Sequence, residues 1–272
     1  MRGGATSESL YQRVLLENNL SSIHELPVLM YHRVVERKLA FTEYDIHITQ
    51  QSMEKQLLFL KHRGIETIGF EDLLYRQLPK KPIILTFDDG FEDNYQYLFP
   101  LLKKYQMKAV IYLIGDRHLR NNAWDVQEGL QEAQLLTQPQ ITEMLKSGLV
   151  EFGSHSMSHP DLTKLSPNEI RKEVGGSKQA LEAFLGKPVF SFAYPYGSVN
   201  EEIKSITAQE GYTFGIAVES GPILFGDDLM EIQRIYIPSW TSILSYYIKT
   251  SGLYLRYQRF LEIIKRTLDR SR

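Results

Sequence analysis

Two aspartates and two histidines stand directly after strand-like segments, and together they could hold a metal ion. Asp88 and Asp89 end the apolar run 82–87, and His155 and His159 follow the shorter run 150–153. One carboxylate and two imidazoles form a three-ligand set for zinc or another divalent ion, with open coordination positions. The spare carboxylate suits a general base for an attacking water. The pattern predicts metal-assisted hydrolysis of an ester or an amide.

Each pair also has a plainer interpretation. Neighbouring strand residues point to opposite faces, so both aspartates serve one site only if the backbone turns after them, which Gly90 permits. Without such a site, Asp-Asp-Gly is a turn whose side chains cap the next helix. The two histidines could be surface residues of a Ser-rich loop, and they are not a zincin motif because no Glu follows the first.

The surrounding segments predict an α/β fold that would bring these groups together. Strand and helix patterns alternate with short connections from about residue 26 to residue 237, which predicts parallel strands covered by helices, as an open sheet or a barrel. The predicted strands include 28–35, interrupted by a polar triplet, and 232–237. The predicted helices include one that starts at Thr49, one over 94–105 and one with a capping box at Ser166 and Glu169, with a possible helix around 10–17 and a long helix or helix pair over 240–268. The carboxyl ends of such strands share one face. A third strand, at 188–194, ends there in the sequence Tyr194-Pro195-Tyr196-Gly197. The irregular stretch 116–138 is long enough to be a functional loop.

Composition and charge exclude several classes of function. The 272 residues are 43% hydrophobic and 24% charged, with a net charge of −2, so nothing indicates nucleic-acid binding. The chain has no cysteine, which excludes thiolate chemistry. No apolar run is long enough to span a membrane, and residues 1–22 do not form a signal peptide. We therefore expect a cytoplasmic protein or one peripheral to the inner membrane, although an exported enzyme that had lost a leader would look the same.

With these residues in view, the sequence resembles the polysaccharide deacetylases of carbohydrate esterase family four. Residues 86–90, Thr-Phe-Asp-Asp-Gly, match the first motif of that family, and residues 155–159, His-Ser-Met-Ser-His, match the second. The resemblance implies a single distorted (β/α) barrel with about seven parallel strands. It also implies that Asp88 is the catalytic base and that Asp89, His155 and His159 bind one divalent metal ion. Zinc is the first choice, and cobalt, nickel, iron and manganese are alternatives.

Two departures from the family pattern bear on catalysis. The third motif normally has an Arg before Pro-Tyr-Gly, but Ala193 occupies that place, and we name Arg234 as the candidate that orients Asp88 instead. The late Leu-x-His motif that supplies the general acid is absent, since no histidine follows His159. Residues 29–32, Leu-Met-Tyr-His, resemble the rearranged order of poly-N-acetylglucosamine deacetylases, which implies His32 as the acid. If a neighbouring carboxylate holds His32, we expect its pKa to lie near working pH. By the same resemblance, the backbone amide of Tyr196 would stabilise the oxyanion.

Further residues are candidates for binding the sugar. Tyr31, Trp124, Asp125 and Tyr194 could line the site, together with Pro195 of the third motif, because aromatic faces stack on sugars. For the aromatic residues, packing in the core is the alternative, and for Asp125 it is a solvated loop.

We expect three regions along the chain: a polar lead-in (1–25), a catalytic domain (26–240) and a helical extension packed on it (241–272). The extension carries apolar residues and Lys249, Arg256, Arg259, Lys265, Arg266, Arg270 and Arg272. It could contact a membrane surface, or it could be a solvated helix packed on the barrel.

The leading hypothesis for function is removal of N-acetyl groups from an amino sugar in a glycan or a glycolipid precursor. An O-acetyl esterase acting on a polysaccharide would use the same machinery. A carbohydrate-binding relative that had lost catalysis is a second alternative, and an amidase acting on cyclic imides is a third.

Overall fold

Ten β-strands are present in the part of the chain that the structure describes. The computed structural model describes residues 16–20, 26–39, 46–126, 131–219 and 224–251, and also positions 254, 257, 258, 260 and 264. The strands, in chain order, are β1 Val28–Tyr31, β2 Arg33–Val35, β3 His47–Thr49, β4 Glu66–Ile68, β5 Pro82–Phe87, β6 Ala109–Leu113, β7 Val150–Ser154, β8 Ser191–Ala193, β9 Phe214–Ile216 and β10 Ile235–Tyr236.

Seven strands run side by side in the order β10-β1-β5-β6-β7-β8-β9, and β4 pairs with the first half of β5. Every one of these pairs is parallel. The sheet curls until its edges meet, because Ile216 at the end of β9 forms a parallel bridge with Ile232, shortly before β10. The amide of Ala217 donates to the Ile232 carbonyl at 2.9 Å. The predicted distorted barrel of parallel strands is therefore confirmed.

Helices cover the outside of this sheet. They are α1 (residues 16–20), α2 Gln50–His62, α3 Phe70–Tyr75, α4 Phe99–Tyr105, α5 Ala123–Val126, α6 Gln138–Lys146, α7 Pro167–Leu185, α8 Glu201–Gln209 and α9 Ile243–Thr250. The predicted caps form: the Thr49 hydroxyl accepts from the Ser52 amide, and Ser166 and Glu169 make a capping box. No helix among the described residues is long and apolar enough to cross a bilayer.

Because the strands are buried on both faces, they appear in the sequence as continuous apolar runs. Alternate residues belong to two hydrophobic clusters. Leu85 and Ile111 point outward to the helices, whereas Ile84 and Val110 point into the barrel. The strand positions therefore fix which side chains can reach the interior and its open end.

Two segments differ from the sequence prediction. The strand predicted over 28–35 breaks at His32, within its polar triplet, and its second half does not continue the main sheet but pairs with β3 in a separate two-stranded sheet. The single helix expected over 94–105 begins instead as a π-helical turn, Asn94–Leu98. Pro100 explains this, because it has no N–H to donate to the carbonyl of residue 96.

The two ends of the chain are described only in part. The lead-in contributes α1, in which Asn19 donates to the carbonyls of Leu73 and Arg76 at 2.9 and 3.0 Å. The helix predicted around residues 10–17 otherwise lies outside the described residues. Near the other end, Tyr246 of α9 packs edge-on against Phe59 of α2. A long helix or a helix pair was predicted over 240–268; because Ser251 is extended, α9 ends there and one continuous helix is ruled out.

Candidate active site

The groups predicted to do chemistry meet at the carboxyl end of the barrel. His32 follows β1, Asp88 and Asp89 follow β5, His155 and His159 follow β7, and the Pro-Tyr-Gly turn follows β8. Arg234 immediately precedes β10, and its side chain is fully buried beside Asp88. The fold thus brings side chains that are far apart in sequence into one group.

Left-handed backbone conformations concentrate at this group. Among the described residues, five that are not glycine have positive φ: Asp89, Gln106, Ser156, His159 and Tyr196. Four of the five lie in the motifs at the strand ends, and only Gln106 ends a helix. Such conformations cost about 1 kcal/mol or more each and persist where the surroundings impose them. At Asp89 (φ 69°) the chain leaves the strand, so two adjacent aspartates can serve one site.

Asp89, His155 and His159 form the only group of metal-ligand type found among the described residues. Asp89 Oδ1 lies 3.4 Å from Nε2 of each histidine, and all three side chains are buried. Two ligand atoms of a tetrahedral zinc ion are roughly 3.3–3.6 Å apart, given ligand distances of about 2.0–2.2 Å. The two Asp89–histidine distances therefore fit a divalent ion, and the three ligand atoms all lie within 4.8 Å of one another.

The protonation chemistry of this group also fits a cation. His155 Nδ1 lies 2.8 Å from the Ala193 carbonyl; a proton on Nδ1 leaves the Nε2 lone pair facing Asp89. Burial lowers the pKa of both histidines, which favours their neutral, ligating form. Asp89 Oδ1 is buried and has no hydrogen-bond donor among the described residues. Burial, together with the charges of Asp125 and Asp88, raises the pKa of Asp89, and a bound cation would reverse that penalty.

Asp88 is held by Arg234 through two parallel hydrogen bonds. The guanidinium NH1 and NH2 groups donate to the two carboxylate oxygens at 2.6 and 2.8 Å. Nε of Arg234 donates to the Ala217 carbonyl, which fixes the plane of the guanidinium. Burial raises the pKa of Asp88, but the charge and hydrogen bonds of Arg234, with the nearby histidines, lower it below the ordinary value. Asp88 is therefore ionised and fixed in orientation.

His32 is the nearest histidine to that carboxylate. Its Nε2 lies 3.8 Å from Asp88 Oδ2, and its side chain is 17% exposed, so a substrate can reach it. Burial lowers the pKa of His32 to about 4, and the attraction of Asp88 offsets this only in part. The sequence suggested a pKa near working pH if a carboxylate held His32; the structure instead gives a neutral imidazole at pH 7.

An aromatic surface borders the two metal-ligating histidines. The Trp124 ring stacks on His159 with ring centroids 4.9 Å apart, and the Tyr196 ring meets His159 edge-on at 4.7 Å. Tyr196 is 53% exposed, so its ring is available to a ligand. Asp125, next to Trp124 on α5, is buried and close enough to raise the pKa of Asp89. Pro195 lies buried below Tyr196 in the same turn.

Tyr31 and Tyr194 do not line this surface, so both predictions of sugar contact are wrong. The Tyr31 ring stacks on Phe87 and its hydroxyl donates to Gln56 of α2 at 2.7 Å. The Tyr194 hydroxyl donates to the Met230 carbonyl at 2.7 Å. Both side chains belong to the cluster between sheet and helices. They occupy strand-end positions that point outward, away from the barrel opening.

Two supporting groups were not anticipated. The Ala193 carbonyl orients His155, and a main-chain acceptor leaves no sign in the residue type. The Glu173 carboxylate on α7 accepts hydrogen bonds from the amides of Met157 and Ser158, each at 2.9 Å, and so holds the loop between the two histidines. Glu173 is one of several glutamates on an amphipathic helix, and nothing in the sequence distinguishes it from the others.

A curled parallel barrel with a ligand set, a carboxylate and a histidine at its open end defines a class of hydrolase. The family model described as polysaccharide deacetylase matches residues 75–215, just over half of the 272 residues. The chain belongs to the polysaccharide deacetylase family.

Individual relatives agree with this assignment. The chain is 28% identical over 218 residues to YxkH of Bacillus subtilis, named as a polysaccharide deacetylase, covering 78% of this chain and 71% of the relative. It is 25% identical over 233 residues to the poly-beta-1,6-N-acetyl-D-glucosamine N-deacetylase of Staphylococcus aureus, covering 77% of both. The solved structure of the Streptococcus pyogenes deacetylase PplD in complex with acetate superposes with a TM-score of 0.69 at 28% identity, covering 83% of this chain and 98% of that one.

Proposed function

We propose that this protein is a metal-dependent hydrolase that removes N-acetyl groups from N-acetylated amino sugars in a polysaccharide or glycan precursor. The observation that carries the proposal is the pairing of Asp88 with His32 at 3.8 Å, beside the Asp89, His155 and His159 group. This pairing supports the roles of base and proton donor that we assign to Asp88 and His32 beside one ligand set. The name of the Staphylococcus aureus relative supports an N-acetylglucosamine polymer as the substrate.

Asp89, His155 and His159 would hold the metal ion, with zinc as the first candidate. An ion there would polarise the acyl carbonyl and make the attacking water more acidic. The greater acidity of the water matters here, because Asp88 is a weak base. Its pairing with Arg234 lowers the pKa of Asp88. A carboxylate of low proton affinity still removes a proton from a water that is already acidified.

Asp88 takes the proton from the attacking water as the bond from that water to the acyl carbon forms. Arg234 keeps both carboxylate oxygens in a fixed plane during this transfer. Asp88 Oδ2 then faces Nε2 of the neutral His32 at 3.8 Å, a separation that a small shift would close to hydrogen-bond length. The proton can pass along this path to the side where the leaving group departs.

His32 delivers that proton to the sugar nitrogen as the carbon–nitrogen bond breaks. An amine cannot leave as an anion near neutral pH, so cleavage of an amide depends on this step, whereas an ester with an acidic alcohol does not. A histidine at this point meets that requirement of an N-acetyl substrate. The amide of Tyr196, in its left-handed conformation, is our candidate donor to the oxyanion, and the rings of Trp124 and Tyr196 would stack on the sugar.

The test compares two leaving groups. We expect metal-loaded protein to release acetate from N-acetylglucosamine oligomers, and His32→Ala to lower kcat/KM on them by roughly 100-fold to 10,000-fold. The same variant should lose much less of its kcat/KM on p-nitrophenyl acetate, because the p-nitrophenolate leaves without being protonated. Asp88→Asn should lose activity on both substrates.

Other outcomes would overturn parts of the proposal. Equal losses of His32→Ala on the amide and on the activated ester would remove His32 from the role of acid. Turnover of O-acetylated polysaccharide with none of N-acetylated oligomers would replace the deacetylase with an O-acetyl esterase. Oligomer binding without turnover by metal-loaded protein would leave a carbohydrate-binding relative.

A further inference from the structure

The segment after the barrel exposes more apolar side chains than the rest of the described chain. Ten large hydrophobic residues are exposed among those described, and seven of them lie between positions 240 and 264. These seven form what we name the C-terminal apolar surface: Trp240, Ile243, Leu244, Ile248, Tyr257, Phe260 and Ile264. Leu244 is 70% exposed and Trp240 is 63% exposed, values that are unusual for such residues unless the surface has a partner.

The opposite side of the same segment holds it to the barrel. Tyr246 is completely buried and packs edge-on against Phe59 of α2 at 5.8 Å. Thr250 is also buried, and the Lys249 ammonium donates to the Tyr236 carbonyl of β10. Helix α9 is therefore fixed in position: Tyr246 and Thr250 pack on the domain, whereas Ile243, Leu244 and Ile248 of the C-terminal apolar surface are exposed.

The charge of this part of the chain is opposite to that of the remainder. Residues 249–272 contain seven Lys and Arg and two acidic residues, a net charge of +5. Because the whole chain carries −2, the rest carries −7. Apolar aromatic and aliphatic side chains next to concentrated positive charge are the features by which interfacial helices bind anionic lipid.

We propose that the C-terminal apolar surface docks on an anionic lipid membrane. The apolar side chains enter the headgroup boundary, and the basic residues of 249–272 supply attraction to the lipid phosphates. A second copy of the chain is the less favourable occupant, because a two-fold contact would place one +5 segment against another.

Vesicle sedimentation of the full chain tests this directly. We expect binding to phosphatidylglycerol vesicles, much weaker binding to phosphatidylcholine vesicles, and a decrease as salt is raised. The triple variant Leu244→Ser, Ile248→Ser, Phe260→Ser should partition at least about tenfold less, because it loses three apolar anchors. Tyr75→Ser is the matched control: it removes an aromatic residue of 42% exposure at the end of α3, which is not part of the C-terminal apolar surface, and should bind like the wild type.

Tryptophan fluorescence gives a second readout that does not depend on those variants folding well. The chain has two tryptophans, so Trp124→Phe leaves Trp240 as the only one. Its emission should shift to shorter wavelength with phosphatidylglycerol vesicles and be quenched by brominated lipid. No binding by wild type, equal binding by the triple variant, or a dimer that forms through this surface without vesicle binding would overturn the proposal.

Discussion

At the scale of single residues, the site shows a carboxylate held by an arginine from a distant part of the chain. The motif resemblance implies an Arg at the place of Ala193, and Arg234 instead reaches Asp88 from a position 146 residues later in the sequence. The replacement is possible because β10 pairs with β1, which in turn pairs with β5. The charge that reaches Asp88 is therefore a better guide to how this carboxylate is oriented than the residue type at one motif position.

Substitution of Arg234 tests this account of Asp88. Arg234→Lys keeps one positive charge but loses the second hydrogen bond, and we expect kcat/KM on acetylated oligomers to fall by about 10-fold to 1000-fold. Because Arg234 lowers the pKa of Asp88, weakening that contact raises this pKa, and the acid limb of the pH–rate profile moves to higher pH. The pH–rate profile is the measurement, since a variant that was only destabilised would not shift it.

A second arginine–aspartate pair provides the control. Arg33 donates to Asp93 at 2.8 Å outside the reacting group. Arg33→Lys should leave the position of the acid limb unchanged. An unshifted limb in Arg234→Lys, or an equal shift in both variants, would contradict the role given to Arg234.

At the scale of elements, strand ends and helix caps were predictable, whereas the direction of side chains was not. The acids of β5 and the histidines after β7 were placed correctly because Gly and polar residues break an apolar run. Tyr31 and Tyr194 were misplaced because both faces of these strands are buried. An apolar run without polar alternation does not show which residues point into the barrel. Strand β10 was predicted too long, since its pairing depends on distant β1.

The contact between β6 and β7 is a test at this scale. A Cβ on Gly153 of β7 would lie 2.3 Å from the Tyr112 ring of β6, so Gly153→Ala must displace that ring or the strand. We expect the free energy of unfolding to fall by roughly 1–3 kcal/mol, with a loss of activity because His155 follows two residues later. Denaturant unfolding followed by circular dichroism measures the change.

Gly176 on α7 is the matched glycine. No atom lies within 4 Å of a Cβ placed there, so Gly176→Ala should raise stability by about 0.5–1 kcal/mol. Gly153→Ala as stable as the wild type would show that the two strands are not packed as closely as described.

At the scale of the whole molecule, the barrel encloses a carboxyl group that makes stability depend on pH. Glu151 on β7 accepts one hydrogen bond from the Glu71 amide at 3.0 Å, and its Oε1 is buried without a partner among the described residues. Burial raises the pKa of Glu151 from 4.5 to about 8. The folded state thus binds this proton more tightly than the unfolded state does.

The direction in which stability changes with pH follows from this difference in proton binding between the folded and unfolded states. The stabilising contribution of protonated Glu151 is complete below about pH 4.5 and is lost as pH rises toward 8. Glu151→Gln should flatten the fall in Tm across this interval and be more stable than the wild type at its upper end. Thermal unfolding over the pH series, with exposed Glu202→Gln as control, measures this. A Glu151→Gln curve parallel to the wild type would contradict it.

The most direct measurement of the central claim is acetate release from N-acetylglucosamine oligomers as zinc is titrated into chelator-treated protein. We predict no release without metal, a rise that ends at one equivalent, and little recovery in Asp89→Asn, which lacks one of the three ligands. Cobalt, nickel, iron and manganese would be compared in the same titration. Full activity in metal-free protein, or an Asp89→Asn variant as active as the wild type at one equivalent, would contradict the metal-dependent deacetylase proposed here.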